Sequence, residues 1–146
     1  MISAAHKALI SSKSVALPTS FKMEVTTTGL SEVVTIVCGD TGTYNATINW
    51  GDGDPDSTIT TYNDADLAHT YAAIGSYTIE ATDEFPHIRY NNVADADSVT
   101  SILATPVGYA NALTTLYGAF RGCANLSSVS ADFDIAGITE CYGCFW

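Results

Sequence analysis

Three sets of residues in this 146-residue chain are of types that could do chemistry. The first is acidic: Asp52, Asp54 and Asp56 alternate in Gly51-Asp-Gly-Asp-Pro-Asp56, with Asp64 and Asp66 following. Alternating carboxylates are how a calcium loop gathers hard oxygen ligands. Here Pro55 interrupts the loop and no terminal Glu stands where a bidentate ligand is needed, so neither a metal nor any other cofactor is expected. His69 is the second candidate. A general base works on a nucleophile or an acid partner held in reach, and no nucleophile motif accompanies it, so His69 is expected to be a hydrogen-bonded structural histidine near the start of a strand. The third is Cys141-Tyr-Gly-Cys144. Thioredoxin chemistry needs that spacing at a helix start in a βαβ unit, and zinc needs a fourth ligand beyond Cys123, Cys141 and Cys144. Two readings stay open for these cysteines: small buried apolar residues at repeat positions, or a disulfide among the three. Cys38, in an apolar strand, is expected to be free. On these grounds the chain is expected not to be an enzyme.

Composition narrows the partners. Sixteen acidic residues stand against five basic ones, Lys7, Lys13, Lys22, Arg89 and Arg121, for a net charge of −11. Such a surface repels phosphates, which excludes nucleic acid, and its plainest role is solubility. Hydrophobic residues make up 47% and charged ones 14%, so Thr, Ser, Asn and Gly must carry the remaining polar surface, which favours strands and turns. The length suits one well-buried core with a small appended unit. No run of about 18 apolar residues is present, so no membrane insertion is expected. Residues 1–20 make a poor signal peptide, so a chain that works outside a cell is expected either to have lost its signal earlier or to leave by another route, such as cell lysis with a virus particle.

The elements that must position these residues are strands. Phe21, Met23 and Val25 alternate with polar neighbours, as do Tyr44, Ala46, Ile48 and Trp50, and later Tyr77, Ile79 and Ala81. Val33 to Cys38 is a continuous apolar run that reads as a central strand covered on both sides. Ser57 to Tyr62 reads as an edge strand. Five or six short strands between residues 21 and 82, at this turn spacing, suggest a sandwich. Residues 1–20 read as an arm.

From residue 99 a different order begins. Leu113-Thr-Thr-Leu-Tyr-Gly-Ala-Phe120 aligns with Ile138-Thr-Glu-Cys-Tyr-Gly-Cys-Phe145 at an offset of 25, and Val99-Thr-Ser-Ile102 echoes Leu126-Ser-Ser-Val129 two residues out of step. A repeat of this length cannot bury its own apolar face and must stack on its copy and on something else.

The run Ile48-Asn-Trp-Gly-Asp-Gly53, then His69-Thr-Tyr71, Gly75 and Tyr77-Thr-Ile79, resembles the polycystic kidney disease (PKD) domain, an immunoglobulin-like sandwich; Trp50 lies directly before Gly51, as in its Trp-Gly-Asp-Gly variant. That resemblance implies structural roles for Trp50, Gly51, Asp52, Gly53, His69, Tyr71, Gly75 and Tyr77, in a spacer or adhesion module that is seldom a catalyst. Phe120-Arg-Gly-Cys-Ala-Asn-Leu126, the Asp132-Phe-Asp134 stretch and the Phe-ending repeats look like the BspA-type leucine-rich repeat of bacterial surface and phage proteins.

The expected fold is therefore mainly β: an arm over 1–20, an immunoglobulin-like β-sandwich over 21–98 and a short leucine-rich-repeat-like extension over 99–146. The expected function is that of a bacteriophage virion structural protein, a capsid decoration, neck or tail component at the virion surface. The alternative is a bacterial cell-surface adhesion module for protein or glycan. Expected partners are other virion proteins, further copies of the chain in an oligomer or lattice, and a host surface receptor. Leu9, Ile10 and Leu17 of the arm and the aromatics Phe145 and Trp146 are the expected assembly contacts, since exposed apolar clusters seek cover.

Overall fold

A computed structural model describes residues 20–104, 115–131, 133, 138 and 140–145. The arm contacts expected at Leu9, Ile10 and Leu17, the Asp132-to-Asp134 acidic pair and Trp146 lie outside the described residues.

The chain is mainly β. Its strands are β1 (Phe21–Thr27), β2 (Glu32–Thr35), β3 (Asn45–Asn49), β4 (Ser57–Ile59), β5 (Ala68–Tyr71), β6 (Gly75–Glu84), β7 (Val99–Ala104) and β8 (Ser128–Val129). Six of them form one sheet in the order β4-β3-β6-β1-β7-β8, and β2 with β5 forms a second, two-stranded sheet. Among these described strands, β7 and β8 pair in parallel and the other pairs are antiparallel.

The period of two in the sequence does what it must. Along β1, Phe21, Met23, Val25 and Thr27 are buried and the residues between them are not. In β3 and its flanks, Tyr44, Ala46, Ile48 and Trp50 all face inward. Register then brings apolar side chains together: Met23 sits opposite Ile79 of β6 on one side and Ile102 of β7 on the other. One core results, fed by both sheets.

The expectation for Val33 to Cys38 needs correcting. Val34 and Ile36 are buried, but Val33 is 51% exposed, and β2 pairs with β5 alone. The run lies in a two-stranded sheet with one face outward. β-branched residues such as Val33 favour extended backbone whether or not both faces are covered, so an unbroken apolar run does not by itself place a strand in the middle of a sheet. Ser57 to Tyr62 does yield an edge strand, β4.

Past β6 the chain builds stacked rungs. Residues 87–92 lie against 37–39 on one side, through Arg89 N to Val37 O (2.7 Å) and Gly39 N to His87 O (3.0 Å). On the other side they meet the next rung, through Tyr90 N to Ala119 O (2.9 Å) and Asn91 N to Gly118 O (3.0 Å). That rung meets a third: Leu116 N, Gly118 N and Phe120 N donate to Glu140 O, Tyr142 O and Cys144 O at 2.8, 3.0 and 2.8 Å. The two sequence copies thus lie in register, with Thr115 beside Glu140 in parallel. Likewise Ser101 and Ile102 of β7 pair with Ser128 and Val129 of β8, the shift of two residues seen in the sequence. β7 also pairs with β1, so the large sheet runs across residues 98 and 99.

Gly122 holds the second rung close to the first. Its φ is +85°, and a Cβ there would lie 2.8 Å from Asn92 Cα, so any side chain meets both a left-handed backbone and a neighbour's main chain. Gly122→Ala is expected to lose more than about 1 kcal/mol of stability. Because β7 is shared, urea unfolding followed by both tyrosine fluorescence and circular dichroism should show one transition shifted as a whole.

Candidate functional site

Two regions gather side chains with functional potential. The first is the turn after β3. Trp50 is buried, with its Nε1 donating to Ser57 Oγ at 3.0 Å. The His69 ring stacks on Trp50 at 4.8 Å and 12°, and Tyr71 meets His69 edge-on at 4.7 Å. The Tyr71 hydroxyl donates to Trp50 O at 2.9 Å, while its ring stacks on Tyr77 at 4.1 Å. Asp52 closes the set: Oδ2 lies 2.7 Å from His69 Nε2, and Oδ1 accepts from Asp54 N at 3.1 Å. Gly51 is required because its φ is +79° and an added Cβ would fall 2.3 Å from Thr78 O. Gly53 has φ +92°, and Gly75 opens β6 beside Tyr77. The structure therefore brings together Trp50, Asp52, His69, Tyr71 and Tyr77.

The chemistry of this group is that of a clamp. Burial pushes the Asp52 carboxyl up, but the hydrogen bonds from His69 and the Asp54 amide outweigh it and hold the group below its ordinary range. Asp52, Asp54 and His69 each present a ligand atom within 4.8 Å of the others, so three donors for a metal exist here. Both Asp52 oxygens, however, already accept hydrogen bonds inside the turn. Asp56, the third member of the sequence trio, turns away to accept from Asn49 Nδ2 at 2.7 Å. His69 lies between the rings of Trp50 and Tyr71 and the carboxylate of Asp52.

The second region is the seam between the second and third rungs. Tyr117 stacks on Tyr142 at 5.8 Å, and Phe120 on Phe145 at 5.4 Å, so the sequence repeat becomes a ladder of paired rings. Tyr142 is 74% and Phe145 50% exposed. A cleft of about 450 Å³ opens beside Asn91, Tyr117, Arg121, Tyr142 and Phe145. A second, of about 410 Å³, is bounded by Phe120, Leu126, Val129 and Phe145. The Arg89 guanidinium lies over Tyr117, 5.3 Å from the ring centroid. Cys141 and Cys144 are joined as a disulfide at the edge of the first cleft, whereas Cys38 and Cys123 are free and buried. Among the three C-terminal cysteines both readings are thus realised, the disulfide by Cys141 and Cys144 and the buried apolar role by Cys123, and Cys38 is free as expected. Burial pushes the Cys38 and Cys123 thiols up to about 12, which leaves them unreactive near neutral pH.

His87 was not singled out by the sequence. It is 4% exposed, its Nδ1 is 2.7 Å from Thr41 Oγ1, and its backbone joins 37–39 to the first rung. Burial, then the charge of Arg89, pulls its pKa down, against the opposing pull of Asp40 and Glu140. No motif marks such a residue. The only hint is a lone His between Phe85-Pro86 and Ile88.

Trp50→Ala is expected to cost about 3 to 5 kcal/mol, measured by denaturant unfolding, because it empties a core site and strands the His69 and Tyr71 contacts. His87 sets a pH dependence with a definite sign. Its folded pKa lies below the ordinary value of 6.5, so the unfolded chain binds the proton more readily and stability is held above pH 6.5 and lost as pH falls below it. The melting temperature of His87→Gln should fall less between pH 7 and pH 5 than that of the parent chain; equal losses would assign the dependence to other groups.

Compared with protein-family models, with curated proteins and with solved structures, the chain matches none of them, so the functional reading rests on its own geometry.

Proposed function

We propose that this chain is a non-catalytic assembly module of a bacteriophage virion surface, an immunoglobulin-like sandwich of the PKD type on which leucine-rich-repeat-like rungs of the BspA type are mounted. Strand pairing supports the sandwich reading. In such sandwiches one sheet carries the strands C, F and G in that order. Here β3-β6-β1 takes that order, with the N-terminal strand β1 in the last strand's place, so the chain leaving β6 is free to turn into rungs. The Trp50–His69–Asp52 clamp supports the non-catalytic reading: the residues most able to do chemistry are engaged in holding a turn.

The observation that carries the function is the aromatic ladder edge. Phe145 stacks on Phe120 on one side and is half exposed on the other, next to exposed Val129. Exposed aromatic and aliphatic groups placed together mark contact surfaces, and each such side chain contributes about 1.5 to 3 kcal/mol when fully covered. Further copies of the chain and other virion proteins are the partners this surface suits. A cell-surface adhesion module that binds glycan is the second reading, favoured by the Tyr117–Tyr142 cleft with Arg121 on its wall.

The test is oligomeric state by light scattering coupled to size exclusion, on the parent chain, on Phe145→Ser and on a chain lacking residues 1–19. The parent is expected to associate and both variants to shift toward monomer, the truncated chain keeping the parent's melting temperature and Phe145→Ser, which also loses its stacking on Phe120, melting somewhat lower. A parent chain that stays monomeric at its highest soluble concentration, and fails to join particles when co-expressed with them, would transfer support to the adhesion reading.

A further inference from the structure

The two ends of the six-stranded sheet are not alike. At one end β4 is guarded, because Asp54, Pro55 and Asp56 lead directly into it and are exposed. Charges and prolines in such places keep a terminal strand from pairing with another chain. At the other end lies β8, which among the described strands pairs with β7 alone. A terminal strand presents main-chain N–H and C=O groups on its outer side, and Leu126 to Ser130 contains neither a charge nor a proline to discourage a further strand. The groove of about 410 Å³ beside β8 is lined by Phe120, Leu126, Val129 and Phe145. Phe133, whose sequence neighbours are Asp132 and Asp134, packs edge-on against both Phe120 and Phe145.

An open edge beside an apolar groove captures extended segments: main-chain bonds hold the added strand, and alternate side chains enter the groove. The sequence supplies one segment of fitting character. Residues 1–19 carry Lys7 and Lys13 and none of the sixteen acidic residues, all of which fall from Glu24 onward, so this segment is opposite in charge to the rest of the chain. A strand made of Val15-Ala16-Leu17 sets Val15 and Leu17 on one side.

Topology decides whose segment fits. Lys22 of β1 pairs with Ala104 of β7, and Ile102 pairs with Val129 of β8, so residues 1–19 join the sheet at the end where β8 finishes. A strand beyond β8 lies three strand spacings from β1, about 14 Å. The four residues from Leu17 to Phe21 span at most about 14 Å, which leaves nothing for the path around the sheet end. Entering from that end, the chain's own segment would also run parallel to β8. A neighbouring copy's segment is free of both limits and takes the antiparallel pairing, the more stable of the two.

We infer that residues 1–19 of one copy dock in the β8 groove of the next as an added edge strand, with Val15 and Leu17 over Val129 and Phe145. This rests on the assembly reading and names its two contact surfaces. Donor and acceptor differ, so the contact is heterologous and propagates head to tail, into a ring or a filament, where a two-fold dimer would close on itself.

The experiment uses two variants of the whole 146-residue chain, each lacking one half of the contact. Leu9→Ser together with Leu17→Ser disables the donor segment. Val129→Lys disables the acceptor, since a lysine on a terminal strand blunts strand addition and repels a basic segment. Val129 is 44% exposed, so its variant should keep the parent's melting temperature. By light scattering coupled to size exclusion, the parent is expected to grow beyond a dimer as concentration rises and each variant alone to stay monomeric. An equimolar mixture of the two should give a one-to-one dimer, because the first keeps its groove and the second its segment. A labelled peptide of residues 1–19 should bind the doubly substituted chain with a Kd at or below about 100 μM, and the Val129→Lys chain at least about tenfold more weakly. If the parent associates but the mixture stays monomeric, or either variant associates as the parent does, the inference falls and the assembly reading stands. Peptide binding that is undetectable, or equal in the two variants, overturns it as well. A monomeric parent overturns both readings, and peptide binding in that case would assign the groove to the chain's own segment.

Discussion

The rest of the structure depends on β1 having a partner on each side. Met23 and Val25 have no exposure at all, because β6 covers them from one edge and β7 from the other. Those two pairings join chain segments far apart in sequence: Met23 meets both Ile79 and Ile102. Closing such long loops precedes any reward from burial, so β1 can dock only when most of the sheet has formed. Once docked, it fixes β7, and β7 fixes the first rung to which the later rungs are hydrogen-bonded. The position of the ladder on the six-stranded sheet is therefore set by strand register. No flexible linker intervenes at residues 98 and 99, where the sequence motif changes.

The same residue types serve opposite ends at the two sites. In the turn after β3, polar handles on the aromatic rings find partners within the protein: Trp50 reaches Ser57, Tyr71 reaches Trp50 O, and His69 reaches Asp52. Burying such groups without partners would cost more than their area returns, and these bonds let the rings of Trp50 and Tyr71 be buried. In the ladder the rings are stacked by the repeat, yet the outer face of Tyr142 stays in water. An aromatic surface that is held in place by its neighbour and left exposed has already lost its conformational freedom, which lowers the entropy cost of covering it with a partner or ligand.

Features that depend on local period were legible in the sequence, and features that depend on which segment lies across the way were not. Alternation in β1 and β3 follows directly from the pleat, and the offset of 25 between the Tyr-Gly pairs reappears as rings stacked in register. Val33 misled because β-branched side chains mark an extended strand without saying how many faces are covered. His87, Arg89 and the 87–92 segment were missed for a different reason. They hold two layers together through bridges outside any named strand, such as Cys38 with Ile88, and an irregular segment has no period to read. The clamp was legible as a group only through its resemblance to a known motif; Asp56 shows the limit of spacing alone, since it shares the alternation of Asp52 and Asp54 but faces Asn49.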